Sequence, residues 1–150
     1  METARERALD YLAGHHVMTL ATAGPDGPWA AAVFYASERF DLYFLSSPSS
    51  RHSTELRANA AAAATVQEDY SDWRAIRGVQ LEGRVEELAG DEAARVQAIY
   101  GAKFPVARPA DDTPAPIAAA LSKVRWYRFA ARRAFWIDNA AGFGKREQVL

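Results

Sequence analysis

Cysteine is absent from the 150 residues. That excludes disulfide staples, thiolate nucleophiles and thiolate-bound zinc or iron–sulfur clusters. Net charge is almost absent too: 18 basic side chains stand against 19 acidic ones, a formal −1 at pH 7. No global field therefore draws nucleic acid or an anionic membrane surface to the chain. No apolar run reaches the roughly 20 residues that a membrane helix needs. The first residues also lack the basic-then-apolar pattern of a secretory leader. The expectation is a soluble cytoplasmic protein. Motifs of hydrolytic and phosphoryl-transfer machinery are missing as well: there is no G-x-S-x-G, no H-E-x-x-H and no P-loop lysine. The three histidines include the adjacent pair His15-His16. Neighbouring side chains in extended chain point to opposite faces, and no third ligand stands at a useful spacing, so no metal site is expected. Lysine is scarce, three against fifteen arginines. That imbalance suits anion recognition, but a compositional bias of the genome produces it equally.

What is present is enough for one sizeable hydrophobic core, and a single domain over residues 1–150 is expected. Residues 2–13 carry helical periodicity, with Ala4, Ala8, Leu9, Tyr11 and Leu12 on one face, and Gly14 stops the helix. Residues 17–23 and 30–36 read as strands around the turn signal Gly24-Pro25-Asp26-Gly27-Pro28. A tight connection at residues 37–40 leads to a third strand, Leu42–Leu45. Residues 60–67 are ambiguous because alanine favours helix; Asn59 and the β-branched Thr65-Val66 tip them toward strand. Over residues 76–88, Val79, Leu81 and Val85 alternate with Gln80, Glu82 and Arg84, the pattern of a strand with one buried face. Gly78 and Gly83 mark bends or bulges of the kind that a closing barrel needs. Asp91 reads as the cap of a helix to about Phe104, followed by a proline-rich loop over residues 105–116 and a short helix at 116–122. Residues 124–130 and 134–137 form a last hairpin or one long bent strand. About six strands with short antiparallel connections and a few helices make a mainly β, α+β protein: a six-stranded antiparallel barrel with flanking helices.

The residues most suggestive of chemistry lie between Asp41 and Asn59, where a strand runs directly into a helix. Ser47 reads as the helix cap and Pro48 as its first residue. Ser46, Ser47, Ser49, Ser50, Arg51, His52 and Ser53 then crowd around the helix start. Unpaired N–H groups and a partial positive charge attract anions there, and arginine grips phosphate through a planar fork. A well-capped surface helix has the same local sequence.

In order and spacing, Met18-Thr19-Leu20-Ala21-Thr22, the Asp26-Gly27 turn, Leu42-Tyr43-Phe44-Leu45-Ser46, Ser50-Arg51-His52 and the later Gly78–Leu88 strand resemble the pyridoxamine-phosphate-oxidase-like, FMN-binding split-barrel proteins. The resemblance covers roughly residues 17–88, and the closing Asp138-Asn139 and Gly142-Phe143-Gly144 look like an uncharacterised bacterial branch. It implies a six-stranded split barrel that forms a homodimer, with FMN in grooves between the subunits. By position, Ser50 and Arg51 would hold the flavin phosphate, with His52 where a lysine is usual. Leu45 and Ser46 would meet the ribityl chain or ring, and Ala32, Val33 and Phe34 would line the ring with backbone groups. Arg146 would reach a partner's phosphate or lie in solvent. Trp29 and Ala30 stand where the family often has an arginine.

The implied function is that of an FMN-dependent oxidoreductase acting on an unidentified small molecule, the flavin carrying the electron chemistry and no acid or base being required of the protein. The alternatives are a non-catalytic flavin or haem carrier, in which His15, His16 or His52 would serve as axial ligand, a deazaflavin binder, and a cofactor-free dimeric scaffold. The arginine–histidine set that pyridoxamine-phosphate oxidase activity would demand is not found. Tyr35, Trp73, Trp126 and Trp136 read first as core or dimer interface and second as residues that stack on a flavin or shape a substrate cleft, and Asn139 is a lesser candidate for a hydrogen bond to a flavin edge.

Overall fold

The first helix, α1 (Ala4–Gly14), opens with a reciprocal cap: Thr3 Oγ1 accepts from the Glu6 N–H while the Glu6 carboxylate accepts from the Thr3 N–H. Its Ala8 and Leu12 are completely buried. The computed structural model describes residues 1–108 and 110–150. After α1 come β1 (Val17–Gly24), β2 (Gly27–Phe34), β3 (Ala36–Glu38), β4 (Asp41–Ser46), α2 (Arg51–Ala58) and β5 (Ala61–Gln67). β6 (Arg77–Leu88), α3 (Gly90–Lys103), α4 (Ala115–Lys123), β7 (Arg125–Asp138) and β8 (Arg146–Gln148) complete the chain. Among the described residues no helix is long and apolar enough to cross a membrane.

All eight strands belong to one antiparallel sheet, ordered β2-β1-β5-β6-β7-β4-β3, with β8 against β7. Six strands were expected; β3 and β8, three residues each, are the additions. Both are too short to show the alternation by which a strand is recognised. The two C-terminal runs are a single strand, β7, and the alanine-rich residues 61–67 are indeed a strand, wedged between β1 and β6. Asp91 does not cap α3. It lies in the first turn, where its charge suits the helix dipole. The proline-rich stretch begins with a 3-10 turn at Pro105–Ala107; Pro109 lies outside the described residues.

Two features curl this sheet into a barrel. At Gly83 the β6–β7 register shifts, Glu82 facing Arg133 and Gly83 facing Ala131, so that Arg132 is an extra residue on β7. A Cβ at Gly83 would overlap the Ala130 carbonyl oxygen, which explains glycine at the bulge. At Tyr35 the edge strand β2 passes directly into β3, the opposite edge of the sheet, so the chain itself crosses the seam. Tyr35 is fully buried; its N–H donates to the His16 carbonyl and its hydroxyl donates 2.7 Å to the Leu12 carbonyl. The interior is filled by Met18, Leu20, Leu42, Phe44, Val66, Val79 and Phe129. Phe44 and Tyr127 stack there with centroids 5.1 Å apart.

Gly83→Ala is expected to destabilise the protein by about 1–3 kcal/mol, the cost of forcing atoms into a packed backbone. Gly14→Ala, with open space around the added methyl, should be neutral or stabilising by up to about 1 kcal/mol. Urea denaturation midpoints of the two variants check the contrast, and equal midpoints would contradict the role given to the bulge.

Candidate functional site

β3 pairs only with Asp41, Leu42 and Tyr43 of β4, so Phe44–Ser46 have no strand partner on that edge. Across from them runs β2, which pairs with β1 alone. Continuing the β3–β4 register back through Tyr35 brings Phe34 toward Leu45 and Val33 toward Ser46, where the two strands meet without forming a ladder. The barrel is split along this line, and both lips carry unpaired backbone donors and acceptors. One lip holds Ala32, Val33 and Phe34, with Ala32 and Phe34 outward and exposed and Val33 packed toward the core. The other holds Leu45, which packs with Ala36, Tyr100 and Trp126, and Ser46, which is buried.

The first turn of α2 closes one end of the split. Ser50, not Ser47, is the cap: its Oγ accepts from the Ser53 N–H at 3.3 Å. Ser47 to Ser50 instead form a turn, closed by the Ser50 N–H on the Ser47 carbonyl at 3.2 Å. Proline's fixed φ suits the second position of such a turn as well as a helix start, so the sequence alone does not separate the two. His52 Nε2 lies 2.7 Å from Ser46 Oγ and 3.3 Å from Ser50 Oγ. Burial holds the imidazole below its ordinary value, against the opposing pull of the Glu55 carboxylate. Near neutral pH it is therefore a hydrogen-bonding group rather than a cation.

Two cations stand at this corner: Arg57, whose Nη2 donates 2.6 Å to the Pro48 carbonyl, and Arg51, which Glu55 and Trp29 fix directly and Thr22 through Glu55. The Arg51 Nε donates 2.9 Å to Glu55 Oε1, one helical turn on. Its guanidinium carbon stands 4.3 Å from the ring centroid of Trp29 on β2. Thr22 on β1 donates its hydroxyl to the other Glu55 oxygen at 2.5 Å. These contacts from the Thr22 hydroxyl and the Arg51 guanidinium, in that order, hold the Glu55 carboxyl below the usual carboxylate range. Thr22 and Trp29 are themselves cross-strand partners. Gly24 leaves the room that Glu55 fills, since a Cβ there would sit 2.7 Å from Glu55 Cγ. Sequence reasoning noted Trp29 only as a departure from the family's pattern and did not pick out Thr22 or Glu55 as site residues. The four-residue spacing of Arg51 and Glu55 was a legible signal; the contact with Trp29, which depends on the folded hairpin, was not.

Ala32, Val33, Phe34, Leu45, Ser46, Ser50, Arg51 and His52 are thus gathered along one seam and its end. Arg146 is not with them in the same chain. β8 pairs with Phe135–Ile137 of β7, whereas Ser46 pairs with Arg125 at the other end of that strand. Arg146 instead lies over the Phe135 ring, 4.5 Å from its centroid, and donates to Gln80. Of the aromatic candidates, Tyr35 and Trp136 are core, and Trp126 packs edge-on against Tyr100 at 5.3 Å. Trp73 remains half-exposed beside Phe143. Asn139 spends its amide internally, donating to the Trp73 carbonyl and accepting from the Gly144 N–H.

A split antiparallel barrel with an arginine and a serine-rich helix start at one end of its seam defines a class of protein, and comparison with known proteins gives the family. The chain belongs to the pyridoxamine 5'-phosphate oxidase family, whose model matches residues 4–136. A UPF0306 protein of Klebsiella pneumoniae is 32% identical over 138 residues, covering 91% of this chain and 86% of its own. A haem-binding protein from Mycobacterium smegmatis superposes with a TM-score of 0.76 at 25% identity, over 99% of this chain and 58% of its own. A FAD-binding protein from Mesorhizobium loti has the same fold, with a TM-score of 0.63 at 20% identity over 85% of this chain and 89% of its own.

The depressed His52 value has a consequence for stability. Unfolded chains take up a proton near pH 6.5, while the folded imidazole resists it, so its contribution is intact above that pH and is lost as pH falls through the folded value. Thermal melts at stepped pH should therefore show a loss of stability below about pH 6.5 that is reduced in His52→Gln. An unaltered acid limb in that variant would contradict the burial argument.

Proposed function

We propose that this chain binds FMN in grooves formed by two copies of itself and works as an FMN-dependent oxidoreductase on a small molecule. The observation that carries the reading is the meeting of Arg51, with its serine-rich helix start, and two unpaired strand edges at one seam. A flavin mononucleotide asks for those features together: an anion seat, backbone hydrogen bonds for its pyrimidine edge, and an apolar wall for its dimethylbenzene ring. Arg51 and Ser50 would take the phosphate, with the Ser46 and His52 side chains as neutral hydrogen-bonding neighbours. Ala32, Val33, Phe34 and Leu45 would flank the ring. When bound, the flavin supplies the electron chemistry, and the protein's part is to hold it and to exclude water.

The second copy is needed on chemical grounds. One Arg51, already engaged by Glu55, is a thin counter-charge for a phosphomonoester, and the exposed lips leave a flavin ring open to water. The outward side of β1, β2 and β5 suits close contact between copies. Thr19, Ala21, Ala30, Ala32, Ala63 and Thr65 stand side by side there in register, small and nearly free of charge. Arg146, remote from Arg51 in its own chain, would serve as a second phosphate ligand contributed by the other copy.

Haem is the second reading, favoured by the likeness to the mycobacterial haem-binding protein. Both ring nitrogens of His15 are engaged, by the Tyr11 carbonyl and Glu68, and His52 Nε2 is held by the two serines. Exposed His16, beside Phe104, is the histidine left for an axial bond.

Visible absorption of the purified protein, before and after soaking with FMN, separates these readings. A flavin spectrum, bleached by NADH or NADPH without oxygen, is expected; a Soret band would select haem, and a colourless protein that retains neither would reject both. Arg51→Ala should then weaken FMN retention by roughly ten- to a hundredfold, as one charge-assisted bidentate contact contributes about 1.5–3 kcal/mol. Unchanged retention would reject the phosphate assignment.

A further inference from the structure

Arginine on a surface helix ordinarily samples many rotamers, and ordering it on a ligand costs side-chain entropy. Arg51 is held before any ligand arrives. Glu55 occupies Nε, the indole of Trp29 covers one face, and among the described residues no hydrogen bond engages either terminal nitrogen. The side chain is nonetheless partly exposed, at 41%. What remains open is the end-on edge of the fork, the edge suited to two oxygens of one phosphate.

We infer that Trp29 is a positioning residue for phosphate recognition: its ring, with Glu55, presets Arg51 so that the free Nη1/Nη2 edge is offered to an incoming phosphate. This goes beyond the FMN reading but rests on it, because it presumes that the anion at this corner is the cofactor's phosphate. The indole acts on Arg51 and not on the neighbouring Arg57, whose Nη2 is already bound to the Pro48 carbonyl at 2.6 Å. The cross-strand partner of Trp29, Thr22, anchors Glu55, so hairpin and helix are tied into one unit: Trp29 and Thr22 on the hairpin, Arg51 and Glu55 on α2.

The test compares dissociation constants for FMN and for riboflavin, which lacks the phosphate, by flavin fluorescence titration of the full chain. Wild-type protein should prefer FMN. Trp29→Ala should cut that preference about two- to fivefold, the size of a partly exposed cation–π contact, while leaving riboflavin affinity in place. Trp29→Phe, which keeps an aromatic face, should restore most of the preference. A purely structural tryptophan would weaken both ligands together, and that result, or an unchanged preference in Trp29→Ala, overturns the inference while leaving the FMN reading intact. Wild-type protein that binds FMN no better than riboflavin removes the phosphate seat itself, and the role of Trp29 with it.

Discussion

A buried carboxylate dictates the arrangement of this corner. Glu55, its side chain 7% exposed, sits beneath the first turn of α2 facing the β1–β2 hairpin. A carboxylate removed from water must be paired and hydrogen-bonded or it is strongly destabilising. Arg51 supplies the charge and Thr22 the second hydrogen bond, so the helix start and the hairpin are held in one relative position by the need to satisfy a single group. Gly24 is the concession that the backbone makes to it. The aim of Arg51 follows from this constraint, and so does its contact with Trp29.

The barrel supplies what the corner lacks. Because β2 runs through Tyr35 into β3, its free edge lies beside the part of β4 that β3 does not reach. A fully closed barrel would have spent those backbone groups on a ladder, and an open sheet would have carried the two lips apart. The split therefore places unpaired backbone next to Arg51. The proposed binding of a flavin rests on that juxtaposition.

Much of this was legible before any coordinates. Alternation at Val79, Leu81 and Val85 gave the long strand, Asp26-Gly27 the hairpin, and the serine–proline run after β4 the helix that follows it, though its start was read at Ser47 and lies at Ser50. What was hidden has a common physical origin, namely contacts between residues far apart in the chain. Ser47 and Pro48 looked like a cap because their local preferences serve a turn equally well. The short strands β3 and β8 exist only because β4 and β7 lie ready to pair with them. Trp29 looked like a departure from the family's pattern, and it takes on a role only once Arg51, twenty-two positions later in the sequence, is folded over it.

The most direct measurement is a crystal structure of the protein after FMN is diffused into it. The account predicts the phosphate on the two terminal nitrogens of Arg51, with the Glu55 contact and the Trp29 stack preserved and the flavin ring lying along the split between β2 and β4. A flavin bound elsewhere, with Arg51 unchanged and its outer edge facing solvent, would contradict it.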